Sequence, residues 1–261
     1  MGTPLKNPPV YFTVVQVRFN ALLKLADYLP AIQEAMRKGG YPDFAHQSSV
    51  GIQISIQDGQ PRPSPIQQDR YKFGDVQRTH AFWLDADSLT LQSTDYGHFD
   101  KFADTFLKGL SIVHDIVTLD YTERIGLRYL DRVTPRAGDD VSQYLAPEVL
   151  GLSGRLPGQA LHAYSESVNQ VQDVVLRSRV VIQGGGLSFP PDLAPEDMVV
   201  TPRFTQYVGP HAILDNDGVV QLREVFSLDI VARRLKDIHD VIGKAFKAAA
   251  TPHAFAVWDQ A

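Results

Sequence analysis

The chain contains no cysteine. Disulfides, thiolate zinc sites and cysteine nucleophiles are therefore excluded. A reducing, cytoplasmic compartment fits best, although the absence of cysteine is equally compatible with export. Long apolar runs are also missing. No window holds the roughly 20 apolar residues that a membrane span needs. The start, MGTPLKNPPVYF, lacks a basic segment followed by an apolar run, so no secretory leader is expected. Lys6 stands where a myristoylation signal needs Ser or Thr. There is no basic surplus either: 25 Lys and Arg face 30 Asp and Glu, a formal net charge of −5. Sequence-blind nucleic-acid binding goes with a basic excess, so any anion site must be local. HExxH and serine-elbow patterns are absent. Gly184-Gly185-Gly186 lacks the Lys-Ser/Thr of a phosphate loop and reads as a flexible connection. No motif points to a cofactor, and none is expected.

What is present reads as α+β. Residues 10–19 are β-branched and aromatic and predict a strand. Asn20 and Gly39-Gly40 bracket a helix, which Pro30 is expected to kink or split. Residues 51–57 alternate Ile with polar partners, a half-buried strand. PRPSP, residues 61–65, reads as a loop or edge connection. Residues 79–94 read as two strands turning at Asp85-Ala86-Asp87-Ser88. A helix follows over about 98–117 with Phe102, Phe106, Leu110 and Val113 at helical spacing. Residues 124–133 and 172–183 read as strands, and 211–222 as a hairpin with an Asn-Asp-Gly tip. A last long helix is expected from near Ser227 to about Ala250, with Val231, Leu235, Ile238, Ile242 and Phe246 as its buried stripe.

Two similarities suggest an internal repeat. HAFWLDAD (80–87) resembles HAILDND (211–217), and LSIVHDIV (110–117) resembles LKDIHDVI (235–242). Chance likeness of amphipathic helices is the competing explanation. A real repeat predicts one globular unit over 1–261 with related halves, about 1–135 and 136–261. Each half would be a mostly antiparallel sheet with a helix packed on one face.

PPVYFTVVQVRF, RIGLRYLDRV and IHDVIGKAFKAAATPHAFAVW resemble, in order and spacing, a sporadically distributed, uncharacterised bacterial protein family. The resemblance implies an accessory or defence-associated role and carries no catalytic residues. Asp131 stands where such proteins tend to have Asn.

RIGLRYLDR raises the main functional question. Side chains of a strand alternate, so Arg124, Arg128 and Arg132 share one face while Ile125, Leu127 and Tyr129 point into a core. Arg18 ends the first strand, and Arg177 and Arg179 share a face of the strand at 172–183. Guanidinium groups on a sheet face grip phosphates or carboxylates bidentately. The primary reading is a non-enzymatic binding or regulatory protein that presents these six arginines to an anionic partner, either nucleic acid or an acidic protein surface. The competing explanation is cross-strand pairing with Asp and Glu. An alternative is a metal-dependent phosphodiesterase or nuclease that uses Asp85, Asp87, Asp215 or Asp217 with His80 or His211. Asp and Asn are also ordinary turn residues, and no metal site is assigned. His114-Asp115 and His239-Asp240 are adjacent on their helices. Helix neighbours diverge by about 100°, so neither aspartate orients its histidine, and boundary histidines bonded to a loop are expected.

Overall fold

The computed structural model describes residues 5–57, 60–193 and 195–260. Its strands are β1 (Val10–Phe19), β2 (Asp43–Gln57), β3 (Gln60–Gly74), β4 (His80–Asp85), β5 (Ser88–Ser93), β6 (Tyr121–Val133), β7 (His162–Val171), β8 (Val174–Gln183), β9 (His211–Val220) and β10 (Glu224–Val225). The helices are α1 (Leu25–Lys38), α2 (Phe99–Val117), α3 (Pro147–Leu150), α4 (Pro202–Thr205), α5 (Leu228–Ala249) and α6 (Pro252–Trp258). The strands form one antiparallel sheet in the order β2-β3-β4-β5-β1-β6-β9-β8-β7, with β10 paired to β6. The fold is α+β.

β1 and β6 lie side by side at the centre. Outward from them the order is β5-β4-β3 on one flank and β9-β8-β7 on the other. α2 follows β5, and α5 follows β9 and β10. Counted from β1 and from β6, the two runs share a path, with β2 as an extra edge strand in the first; this division falls before β6 and not at 135. The helix likeness falls on equivalent elements, α2 and α5. The hairpin likeness does not: His80 opens β4, whereas His211 opens β9, which holds the position of β5.

Three local expectations are corrected. Residues 211–222 are no hairpin, because β9 runs straight through Asn216-Asp217-Gly218. Tertiary packing overrides the turn signal there. Asp215 and Asn216 are buried, and a Cβ on Gly218 would lie 2.5 Å from Ile238 of α5. Residues 61–65 are strand, since β3 pairs with β2 from Gln60 to Gly74. Prolines at alternate positions turn their missing donors to one side, and β4 pairs only with Tyr71–Gly74, so that side of 61–65 makes no ladder with β4. α1 begins at Leu25 and runs unbroken through Pro30. Asn20 instead accepts a hydrogen bond from the Asp120 N–H at 2.9 Å.

One sheet face is covered by α1, α2 and α5. Phe102, Phe106, Leu110 and Val113 of α2 and Val231, Leu235, Ile238 and Ile242 of α5 bury against Val15, Val17, Leu89, Leu91, Ile125 and Leu127. Each such side chain contributes about 1.5–3 kcal/mol when fully buried. Gly109 lets α2 approach closely, since a Cβ there would lie 2.3 Å from the Phe82 ring. Gly109→Ala should therefore destabilise the protein by about 1–3 kcal/mol in urea unfolding, despite alanine's better helix propensity.

Candidate functional site

Among the described residues, the other face of the sheet carries no long helix. It is crossed by residues 184–193 and 195–210, on the connection from β8 to β9. Connections this long inside a compact fold are uncommon and usually functional. Leu187, Phe189, Leu193, Met198 and Val200 seat this strap on Tyr11, Phe12, Leu130, Phe204 and Ile213. Tyr11 donates from its hydroxyl to the Ser188 carbonyl at 2.9 Å. Farther along, the Val199 N–H donates to the Arg78 carbonyl, and Thr94 donates to the Val199 carbonyl. Gln47 of β2 donates to Glu196.

Beneath the strap lies a groove of about 420 Å³. Its floor is Val14 and Gln16 from β1, Thr90 and Gln92 from β5, Arg124, Gly126 and Arg128 from β6, and Asp217 from β9. These residues meet because the registers match: Val14 opposes Arg128 and Gln92, and Gln16 opposes Gly126 and Thr90. Arg70, Asp192 and Glu196 stand among the walls. A second cavity of about 410 Å³ opens on the far side of the strap, beside Tyr164, Arg179 and Gln183. Pro191 and Asp192 line both.

The six candidate arginines meet different fates. Arg132 is buried and donates to the carbonyls of Phe204, Gly185 and Tyr207, which pins the base of the strap. Arg128 is buried and grips Asp215 through Nε at 2.6 Å and Nη2 at 2.8 Å. Its Nη1 donates to Asp192 of the strap at 2.6 Å. Arg179 is shared between Glu166 and Asp215. Arg18 is half exposed and paired with Asp87 at 2.5 Å. Arg177 is exposed and has no salt bridge among the described residues.

Arg124 is the exception inside the groove. Its Nη1 donates to the amide oxygen of Gln16 at 2.8 Å, and Gln16 in turn donates to Thr90. It has no salt bridge among the described residues. Its guanidinium lies back over Gly126, where a Cβ would come within 3.1 Å of Nη1. Burial lowers its pKa, with nearby Asp217 opposing and Arg18 adding to the shift. Burial likewise raises the carboxyl of Asp217, against the pull of Arg128 and Arg124. The groove thus holds a partly desolvated cation whose hydrogen-bond partner is neutral.

The acidic candidates for a metal are spread out, and three of the four are engaged in ion pairs. Asp85 accepts from Arg70 at 2.8 Å, Asp87 from Arg18, and Asp215 from Arg128 and Arg179. Asp215 and Asp217 lie within β9 and not at a hairpin tip. No group of three or more His, Cys, Asp or Glu able to hold a metal occurs among the described residues. His80 bonds Asp75, and His211 bonds the Gly209 carbonyl. The helix histidines are boundary residues. His114 accepts from the Leu119 N–H and stacks on Phe226. His239 bonds the Tyr129 hydroxyl at 3.1 Å and stacks on Phe99.

Asp131 points to the helix side, between Tyr129 and Val133 on β6. It is 6% exposed and has no hydrogen-bond partner among the described residues. Burial, helped by the charge of Asp215, pushes its pKa up to about 8. It is therefore a neutral acid at pH 7, pairing a donor group with an acceptor group as an amide does.

Sequence reasoning did not identify Gln16, Gly126, Asp192 or the strap itself. The available signal was the length of the stretch between two strands and its Phe-Pro-Pro-Asp segment, residues 189–192. No protein-family model matches this chain, and no curated protein matches it.

Proposed function

We propose that the protein is a non-enzymatic binding or accessory protein that takes an anionic group of a partner, nucleic acid or an acidic protein segment, into the strapped groove. Arg124 is the anchor. The observation that carries this reading is its guanidinium, drawn partly out of water and bonded to a neutral amide oxygen. An incoming carboxylate or phosphate supplies the countercharge and a charge-assisted hydrogen bond. Gln16, Gln92 and Thr90 add neutral polar contacts on the floor. Arg177 adds positive character to the same face, whereas Arg18 is paired with Asp87. The groove volume suits one anionic group on a narrow chain better than a duplex.

No helix among the described residues is long and apolar enough to cross a membrane. A cytoplasmic location is part of the proposal. The segments that resemble the sporadically distributed bacterial family fall on β1, β6 and α5–α6. Membership of that family is part of the proposal, as is an accessory, defence-associated role.

Fluorescence anisotropy with a labelled polyglutamate peptide and a labelled oligothymidylate tests the reading. One probe should bind, and more weakly as salt rises. Arg124→Gln should weaken that binding about tenfold with an unchanged melting temperature. Equal binding by Arg124→Gln and the parent, or no binding of either probe, would defeat the proposal. Gly126→Val should act in the same direction, because it removes the space where the Arg124 guanidinium lies.

A further inference from the structure

We propose that the strap is a self-occupied lid: on Arg128, Asp192 holds the place that a carboxylate of an acidic peptide partner takes when it enters the groove. The inference rests on the anion-binding reading above and names the partner and its regulation. Arg128 has two unlike sides. Its Nε and Nη2 are fixed by Asp215, whose side chain is 4% exposed. Its Nη1 meets Asp192, whose side chain is 65% exposed. The first contact is shielded and costly to break, whereas the second is screened by solvent and replaceable. Asp192 also sits between the two cavities and lines both, so its departure would join them into one trough across the sheet.

The chemistry of the occupant follows from the group already there. Asp192 is a peptide carboxylate presented at a turn, closed by the Leu193 N–H donating to the Pro190 carbonyl at 2.9 Å. An acidic peptide segment repeats that contact, carboxylate for carboxylate. The groove therefore favours the peptide. Phe189 and Leu193 keep the strap seated on either side of Asp192, so release of Arg128 needs only local movement.

The test compares the parent, Asp192→Asn and Arg124→Gln, as full chains, with the labelled polyglutamate peptide and the oligothymidylate. Asp192→Asn should bind polyglutamate about three- to tenfold more tightly, because the internal competitor has lost its charge. In the parent, saturating polyglutamate should raise hydrogen exchange over residues 189–193. Unchanged or weaker polyglutamate binding by Asp192→Asn overturns the lid, and so does unchanged exchange in the saturated parent. If Arg124→Gln still loses affinity in that case, the groove reading stands without the lid. If Arg124→Gln binds normally, the groove reading itself fails. Tighter binding of oligothymidylate with none of polyglutamate overturns the peptide assignment and makes nucleic acid the occupant.

Discussion

At pH 7 the Asp131→Asn protein is expected to melt about 10 °C above the parent, and its stability should fall less steeply as pH rises from about 4 to about 8. Asp131 ordinarily ionises near 3.8, but burial in the fold raises that to about 8. Between these values the folded chain keeps a proton that the unfolded chain has released. Stability therefore falls as pH rises from about 4 to about 8, and the full penalty stands above that window. Three units of difference at pH 7 correspond to an upper bound on the order of 4 kcal/mol. Asparagine has the same shape and polarity as the protonated acid and nothing to ionise. Thermal melts of both proteins at pH 5, 7 and 9 measure the effect. The curves should lie closest at pH 5 and diverge with rising pH. Parallel curves would show that Asp131 titrates normally in the fold.

Arg128→Ala should cost about 3–5 kcal/mol in urea unfolding, an effect on the whole fold and not on binding alone. The change leaves Asp215 buried with one of its two cationic partners, Arg179, and releases the strap from Asp192. Asp215→Asn alone should also destabilise, since it strands Arg128. The double variant, Arg128→Met with Asp215→Asn, should recover part of the loss, because no unpaired buried charge remains. A double variant whose loss equals the sum of the two single losses would mean that the pair is not coupled in the folded state.

Much of the scaffold was legible in the sequence because its periodicities are local. β1 falls on the expected residues 10–19, and the stripe of α5 buries Val231, Leu235, Ile238 and Ile242 as helical spacing predicts. The alternation in RIGLRYLDR does place Arg124, Arg128 and Arg132 on one face. The fate of each arginine was not legible. The carboxylates on Arg128 come from residues 64 and 87 positions away, and the carbonyls on Arg132 from 53 to 75 away. No spacing rule reaches that far. The failure at Asn216-Asp217-Gly218 has the same cause. A good local turn signal was outweighed by two buried ion pairs on one side of β9 and the packing of Ile238 on the other.

The central position of β1 has a consequence for biosynthesis. β1 leaves the ribosome before its partners, Ser88–Ser93 and Tyr121–Val133. Until those residues emerge, a Val- and Phe-rich ribbon with two open edges must wait in the nascent chain. Pairing across such sequence distances is slow. Refolding should therefore lag behind that of helical proteins of this size, and the early chain is a natural client for holding chaperones.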